Sequence, residues 1–301
     1  MKAFRRHRLV PLTVLPALLL GACGTVDSVA GSNSGDRTIV VGSQAYYSNE
    51  IIAEIYAQAL ERAGYNVDRQ FQIGQREVYM KEIESGSIDI MPEYTGPLLQ
   101  YWQPDTSARK PAEVLSGLQE AAPDNLVVLE PSDAADQDAY VVTREFAEQY
   151  GLRTIADLAK VPTALTLGAN SEAEHRPNGP EGLKEVYGID VGFTPIEDSG
   201  GPLTVKSLKD GDIQLAIIYT SDPAIEENDL VILEDPKGQF VSSNVVPLAF
   251  LDIYLGGAEV VERVNGYLDT PTLQRLNRRS VTEQLPASQI AGDFLDSVDA
   301  G

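Results

Sequence analysis

The chain has 301 residues, 43% of them apolar, and a formal charge of −22 from 45 acidic against 23 basic residues. That length suits one large domain or two modest ones built on a packed core. So acidic a chain disfavours nucleic acid and anionic lipid as partners, and its single cysteine excludes an internal disulfide framework.

At the N-terminus, Lys2, Arg5, Arg6 and Arg8 precede the apolar run 9-LVPLTVLPALLLGA-22. This pattern predicts a secretory signal over residues 1–22, since the run is too short and too proline-broken for a good membrane span. The run closes in 20-LGAC-23, which resembles the lipobox of bacterial lipoproteins. The resemblance implies a lipid on Cys23, a mature chain starting there, and an extracytoplasmic protein anchored to the cell membrane. The plain alternative is an ordinary signal peptide followed by a free thiol. Cleavage would remove four of the 23 basic residues and no acidic one, leaving a charge of −26. The Gly/Ser/Asp-rich stretch 24-GTVDSVAGSNSGDR-37 has no periodicity. Residues 23–36 are therefore expected to form a lipidated flexible tether, with fourteen residues of this composition spanning about 20 Å root-mean-square.

From residue 37 the pattern alternates between strand and helix. A strand near 38–42 leads into the helix 48-SNEIIAEIYAQALERAG-64, with Ser48 as its expected cap and Gly64 at its end. A strand over 67–73, a helix over 77–84 and an apolar strand over 88–91 follow, the last expected to stop at Pro92. Tyr94-Thr95-Gly96 then opens another helix. A repeat of about 125 residues echoes this order. The segment 86-GSIDIMPEYT-95 matches 211-GDIQLAIIYT-220, 60-LERAGYNV-67 matches 183-LKEVYGIDV-191, and 38-TIVVGSQ-44 matches 164-ALTLGAN-170, at offsets of 123 to 126. Each half reads as β-α-β-α-β, which predicts an α/β fold with two lobes, each a mostly parallel sheet flanked by helices. The segment 244-NVVPLAFLDIY-254 is expected to return to the first lobe, and helices are expected near 257–268, 271–284 and 286–297, the second capped by Thr270.

Enzyme signatures are scarce. Beyond the signal His175 is the sole histidine, and no H-E-x-x-H, paired-cysteine or G-x-S-x-G motif is present. The chain is read as no enzyme, with no metal and no cofactor. Ligands of open α/β sheets sit at the carboxyl ends of the strands, where Gln44, Tyr94, Thr95, Asn170, Tyr219 and Thr220 fall. Tyr94 and Tyr219 are repeat-equivalent and are expected to face one cleft. Aromatic faces hold a quaternary ammonium ion, which donates no hydrogen bonds, at roughly 0.5–2 kcal/mol per desolvated contact. The alternative is that both rings are core or hinge residues.

The segments 41-VGSQAYYSNEIIAEIYAQALE-61, 86-GSIDIMPEYTGPLLQYW-102, 176-RPNGPEGLKEVYGI-189, 217-IYTSDPAI-225 and 231-VILEDPKGQF-240 resemble the osmoprotectant-binding lipoproteins of ABC importers, which capture glycine betaine, choline, carnitine and relatives. The likeness runs over residues 38–298. It implies a type II periplasmic-binding fold that closes on its ligand and delivers it to a permease driven by an ATPase, and a monomer. Lobe 1 is expected at 37–138 and 246–301, lobe 2 at 139–245, with hinge crossings near 137–142 and 241–247. It further implies that Tyr94 and Tyr219 are cage rings, that Thr95 and Gln44 line the site, and that Arg176 pairs with a ligand carboxylate, a surface ion pair being its alternative. Two departures stand out. Asp138 replaces one expected cage tyrosine, unless Tyr140 serves two residues on, and Ser243 replaces another. Tyr46 or Tyr47 would then have to complete the cage. A quaternary-ammonium osmolyte is the leading ligand; a polyol, sugar or amine, or a sensor that transports nothing, stays open.

Overall fold

Two five-stranded sheets organise the described residues, 38–253 and 255–299, of the computed structural model. Cys23 and the expected signal and tether lie outside them. The first sheet contains β1 (Thr38–Gly42), β2 (Asn66–Gln70), β3 (Ile90–Tyr94), β4 (Leu126–Val128) and β10 (Val245–Phe250), in the order β2-β1-β3-β10-β4. The second contains β5 (Asp138–Thr143), β6 (Thr166–Ala169), β7 (Gly192–Pro195), β8 (Leu215–Tyr219) and β9 (Leu230–Ile232), in the order β7-β6-β8-β5-β9. In each, four strands run in one direction and one inserted strand, β10 or β5, runs antiparallel to both its neighbours. The sequence repeat is thus a repeat of topology.

In the first lobe, α1 (Tyr47–Arg62), α2 (Arg76–Glu84), α3 (Thr95–Trp102) and α4 (Pro111–Ala121) follow the strands; α5 (Arg144–Tyr150), α6 (Pro180–Tyr187), α7 (Pro202–Asp210) and α8 (Ala224–Glu227) belong to the second. Then α9 (Leu255–Asn265), α10 (Thr270–Val281) and α11 (Ala287–Asp299) return to the first. Each sheet carries an apolar core on both faces. The apolar residues of α1 suggest one buried face, yet most of its circumference is buried, because α9, α10 and α11 cover the outer side. Tyr56, fully buried there, donates its hydroxyl to Asn265 Oδ1 at 2.7 Å, so burying the ring leaves no orphan donor.

Some local expectations shift. Ser48 does not cap α1; the helix starts at Tyr47 after an extended Tyr46. At α10 the cap is Asp269, which accepts from the Thr272 N–H at 2.8 Å, while the Thr270 hydroxyl is engaged by the Ala135 N–H. Strand β3 does not stop at Pro92 but runs on to Tyr94. Pro92 lies opposite Pro247 of β10. Thr95 and Asp89 exchange bonds with Asn244 and Phe250, which places the odd-numbered residues of β3 at hydrogen-bonded pairs. Both prolines therefore sit at a non-hydrogen-bonded pair of the β3–β10 ladder, which loses no bond to either; on its other side Pro247 accepts from the Leu129 N–H and has no N–H to return.

The chain crosses between the sheets in the segments 129–137 and 233–244. The first crossing was expected near 137–142, and residues 138–142 of that stretch belong to β5. The crossings pair with each other: Asp136 N–H donates to Ser243 O at 3.0 Å, Val245 N–H to Ala134 O at 3.0 Å, and Ser132 N–H to Val245 O at 2.8 Å. The start of α3 leans on the second crossing. A Cβ at Gly96 would lie 2.6 Å from Ser242 O and 2.9 Å from Val241 O, so only glycine fits after Tyr94-Thr95. Gly96→Ala is expected to lower stability by about 1–3 kcal/mol, measured by urea unfolding.

Candidate functional site

The cleft is built from strand ends. After β1, the Ser43 N–H donates to Gln70 O and the Ser43 hydroxyl accepts from the Gln72 N–H. Asn49 then staples the loop, accepting from the Gln44 N–H at 2.9 Å and donating to Pro92 O at 3.0 Å. This rigid turn presents Tyr46 and Tyr47 to the second lobe. Tyr46 meets Tyr219 at the end of β8, with ring centroids 4.5 Å apart and planes tilted by 43°, and Tyr47 packs edge-on against Tyr46 at 5.0 Å. The Tyr47 hydroxyl donates to Asp222 Oδ2 at 2.9 Å, a direct bond between lobes.

Tyr94, at the end of β3, is fixed by its neighbour. Glu93 is fully buried and accepts from Arg76 through two bonds, at 2.7 and 2.9 Å, from the Tyr79 hydroxyl at 2.6 Å, and from the Tyr94 N–H at 2.8 Å. A buried bidentate pair with every acceptor used is rigid, and breaking one partner costs about 3–5 kcal/mol. Burial raises the phenol pKa values of Tyr46 and Tyr94 well above the usual tyrosine range, so both rings stay neutral.

Asp136 lies on the first crossing. It is 3% exposed. Its Oδ1 accepts from the Ser221 N–H at 3.1 Å and its carbonyl accepts from the Ser243 hydroxyl at 2.7 Å. Its Oδ2 has no hydrogen-bond partner among the described residues, and the same is true of Gln44 Nε2, Tyr46 Oη and Tyr94 Oη. An unpaired buried polar group costs about 1–3 kcal/mol, and several in one region mark a place kept for something other than packing. Burial pushes the Asp136 carboxyl up to about 7, with bonds from Ser221 pulling down and the charges of Asp222 and Asp138 pushing up.

The other expected residues divide. Asp138 lies opposite Tyr219 in the β5–β8 register and accepts from Asn178 Nδ2 at 2.8 Å. Desolvation raises its pKa, against the pull of Arg176 and Arg76. Arg176 is paired across the lobes with Glu77, at 3.0 Å to Oε1 and 2.7 Å to Oε2. Both Asp138 and Arg176 line a groove of about 570 Å³ whose walls include Arg76, Tyr101 and Asn178. Tyr140 is a core ring, with its hydroxyl donating to Asn178 O. Thr95 braces the second crossing and Ser243 belongs to it: the Thr95 hydroxyl bonds Ser242 O and the Asn244 N–H, and Ser243 bonds Asp136. Asn170, the repeat counterpart of Gln44, is used locally, clamping Ser199 through its N–H and hydroxyl.

Asp136, Asp222 and Asn49 are the residues that the sequence reading passed over. Asp222 stands in the quoted run 217-IYTSDPAI-225 and Asp136 two residues before Asp138, but nothing in spacing distinguishes a crossing residue from a loop acid.

Because the folded Asp136 carboxyl holds its proton up to about 7 while an unfolded one releases it near 3.8, the native state binds more protons between those values. Stability contributed by this group is present below about pH 4 and is lost as pH rises through 7. Asp136→Asn is expected to raise the thermal midpoint by several degrees at pH 8 and to leave it unchanged near pH 4, by calorimetric scans at both pH values.

The family model for the substrate binding domain of the ABC-type glycine betaine transport system, OpuAC, matches residues 37–297. The glycine-betaine-binding protein of Pseudomonas aeruginosa is 29% identical over 276 residues, covering 86% of this chain and 87% of the relative. The glycine betaine-binding protein YehZ of Escherichia coli K12 is 26% identical over 273 residues, covering 85% and 89%. Among solved structures, a glycine betaine/carnitine/choline ABC transporter protein superposes with a TM-score of 0.67 at 22% identity, over 86% of this chain and 98% of the other. Doubled topology and a match along almost the whole described chain lead to one conclusion: the protein belongs to the OpuAC family of substrate-binding domains of ABC-type glycine betaine transport systems.

Proposed function

We propose that this chain captures a quaternary-ammonium osmolyte between its lobes and hands it to an ABC permease and its ATPase. The observation that carries this reading is the tyrosine cluster. Tyr46, Tyr94 and Tyr219 come from three different strand ends, and the first and last meet across the cleft. A cation held between two ring faces needs each centroid within about 6 Å. The 4.5 Å contact between Tyr46 and Tyr219 must therefore widen by several ångströms on capture. Opening and reclosing of the lobes about the paired crossings supplies that motion. We take lobe 1 as about residues 38–136 and 244–299, and lobe 2 as the stretch between.

In this reading Tyr46 stands in for a missing cage ring, and Gln44 supplies a donor. Thr95 and Ser243 act as hinge residues. Arg176 serves a ligand carboxylate only on leaving Glu77. The names of the relatives support glycine betaine as a ligand class. Asp138 and Ser243 in place of two rings keep a second reading, a more polar amine or polyol.

Isothermal titration calorimetry with glycine betaine, choline, carnitine, ectoine and proline tests the proposal. Micromolar binding of a quaternary amine is expected, weakened at least a hundredfold by Tyr94→Ala with Tyr219→Ala. Silence with all five would move the ligand to another class.

The anchor is part of the same proposal: an extracytoplasmic, monomeric receptor held at the membrane by a lipid on Cys23. Growth with labelled palmitate is expected to label the wild type, and Cys23→Ala is expected to be unlabelled and released from the membrane fraction.

A further inference from the structure

Resting on the reading of this cleft as a quaternary-ammonium site, we propose that Asp136 is the counter-ion of the bound cation, so that the site takes ligands of net positive charge, of the choline type, in preference to zwitterions, and releases a proton on binding.

Asp136 is 3% exposed, and of its two carboxylate oxygens only Oδ1 has a partner, the Ser221 N–H. The backbone on either side is locked by Ser243, which bonds both its N–H and its carbonyl, so the side chain is aimed rather than adaptable. Its neighbours identify the direction. Tyr46 and Tyr94 both feel its charge, and neither hydroxyl makes a hydrogen bond of normal geometry, the first lying beside the Tyr47 hydroxyl and the second beside the Asn49 side chain. Asp136 is held against Ser221, two residues beyond Tyr219, whose ring meets that of Tyr46. A quaternary ammonium ion satisfies a carboxylate by charge, and the ring faces by cation–π attraction, without donating a hydrogen bond.

The charges facing Asp136 from each element are of one sign or neutral. Tyr46 and Tyr47 come from the start of α1, Tyr94 from β3, Tyr219 from β8, Asp138 from β5 and Asp222 from the loop after β8. The two nearby cations are engaged elsewhere: Arg76 with Glu93, and Arg176 with Glu77. A ligand carboxylate would enter an acid-lined space whose arginines already have carboxylates. A cation of net charge +1 compensates that space, and a zwitterion leaves it negative.

The same carboxyl is half protonated near neutrality, since its value stands at about 7. The cation binds the carboxylate form, Asp136–COOH gives up H⁺ to solvent, and no covalent bond to the ligand forms. Affinity should therefore rise with pH, by about tenfold between pH 6 and pH 8, with about half a proton released per ligand at pH 7.

The test is calorimetry on the full chain with choline chloride and with glycine betaine. It is run at pH 6, 7 and 8, in two buffers of different ionisation enthalpy. Expected are choline binding at least tenfold tighter than betaine, the stated pH dependence for choline, and a buffer-dependent heat at pH 7. Asp136→Asn, checked for folding by its thermal midpoint, is expected to weaken choline more than tenfold at pH 8 and to flatten the pH profile. Equal affinities that do not vary with pH, with no buffer effect, would overturn the inference while leaving the quaternary-ammonium reading intact. If Asp136→Asn does not fold, the wild-type buffer heats still decide. Silence with both ligands would overturn both readings.

Discussion

The pairing of the two crossings is the interaction on which the rest of the molecule hangs. Each sheet is closed by an inserted antiparallel strand, β10 or β5, that lies next to a crossing. The crossings bond each other through Asp136, Ser243, Ala134 and Val245. That pairing ties the two sheets together and fixes Asp136 against Ser221 and Ser243. It also explains why Thr95, Gly96 and Ser243 are small. They pack where backbone passes within hydrogen-bond or van der Waals distance of backbone, so their size is dictated by the hinge before any ligand is considered.

Electrostatics supports the same division of labour. The chain is acidic overall, but its buried acids are not treated alike. Glu93 is saturated by Arg76, Tyr79 and a backbone N–H, and acts as scaffold beneath Tyr94. Glu54 is paired with Arg69 behind α1. Asp136 is half satisfied and keeps an elevated proton affinity. A protein that saturates its structural carboxylates this thoroughly makes a half-bonded one beside two unpaired tyrosines a sign of a site rather than of loose packing.

Much of the architecture was legible in the sequence because it rests on local rules repeated twice. Alternating apolar strands and capped helices gave both lobes, and the 125-residue echo placed Tyr94 and Tyr219 at equivalent strand ends. Boundaries were less legible where tertiary contacts override propensity. Pro92 looked like a strand end and is inside β3, because it falls at a non-hydrogen-bonded pair of the ladder with β10. Ser48 and Thr270 looked like caps; an extended tyrosine and an aspartate hold those positions. The site was legible as rings and not as charges. Asp138 and Arg176 drew notice by motif, whereas Asp136 differs from dozens of other acids only in what surrounds it. Burial and the bonds of its neighbours are properties of the folded chain, and no spacing encodes them.

The opposed prolines of β3 and β10 have a consequence for assembly of the first lobe. Strand β10 arrives 155 residues after its partner, counted from Pro92 to Pro247, long after the intervening lobe has been synthesised. Such distant strands are prone to pair out of step. Any slip by one residue turns every side chain of one strand to the wrong face. Here it also moves one proline or the other into a position where the ladder requires an N–H that proline lacks. The two rings thus proofread the alignment: they remove no bond from the native β3–β10 ladder and penalise each neighbouring one. The strand that carries Tyr94 is held in step by residues that never touch a ligand.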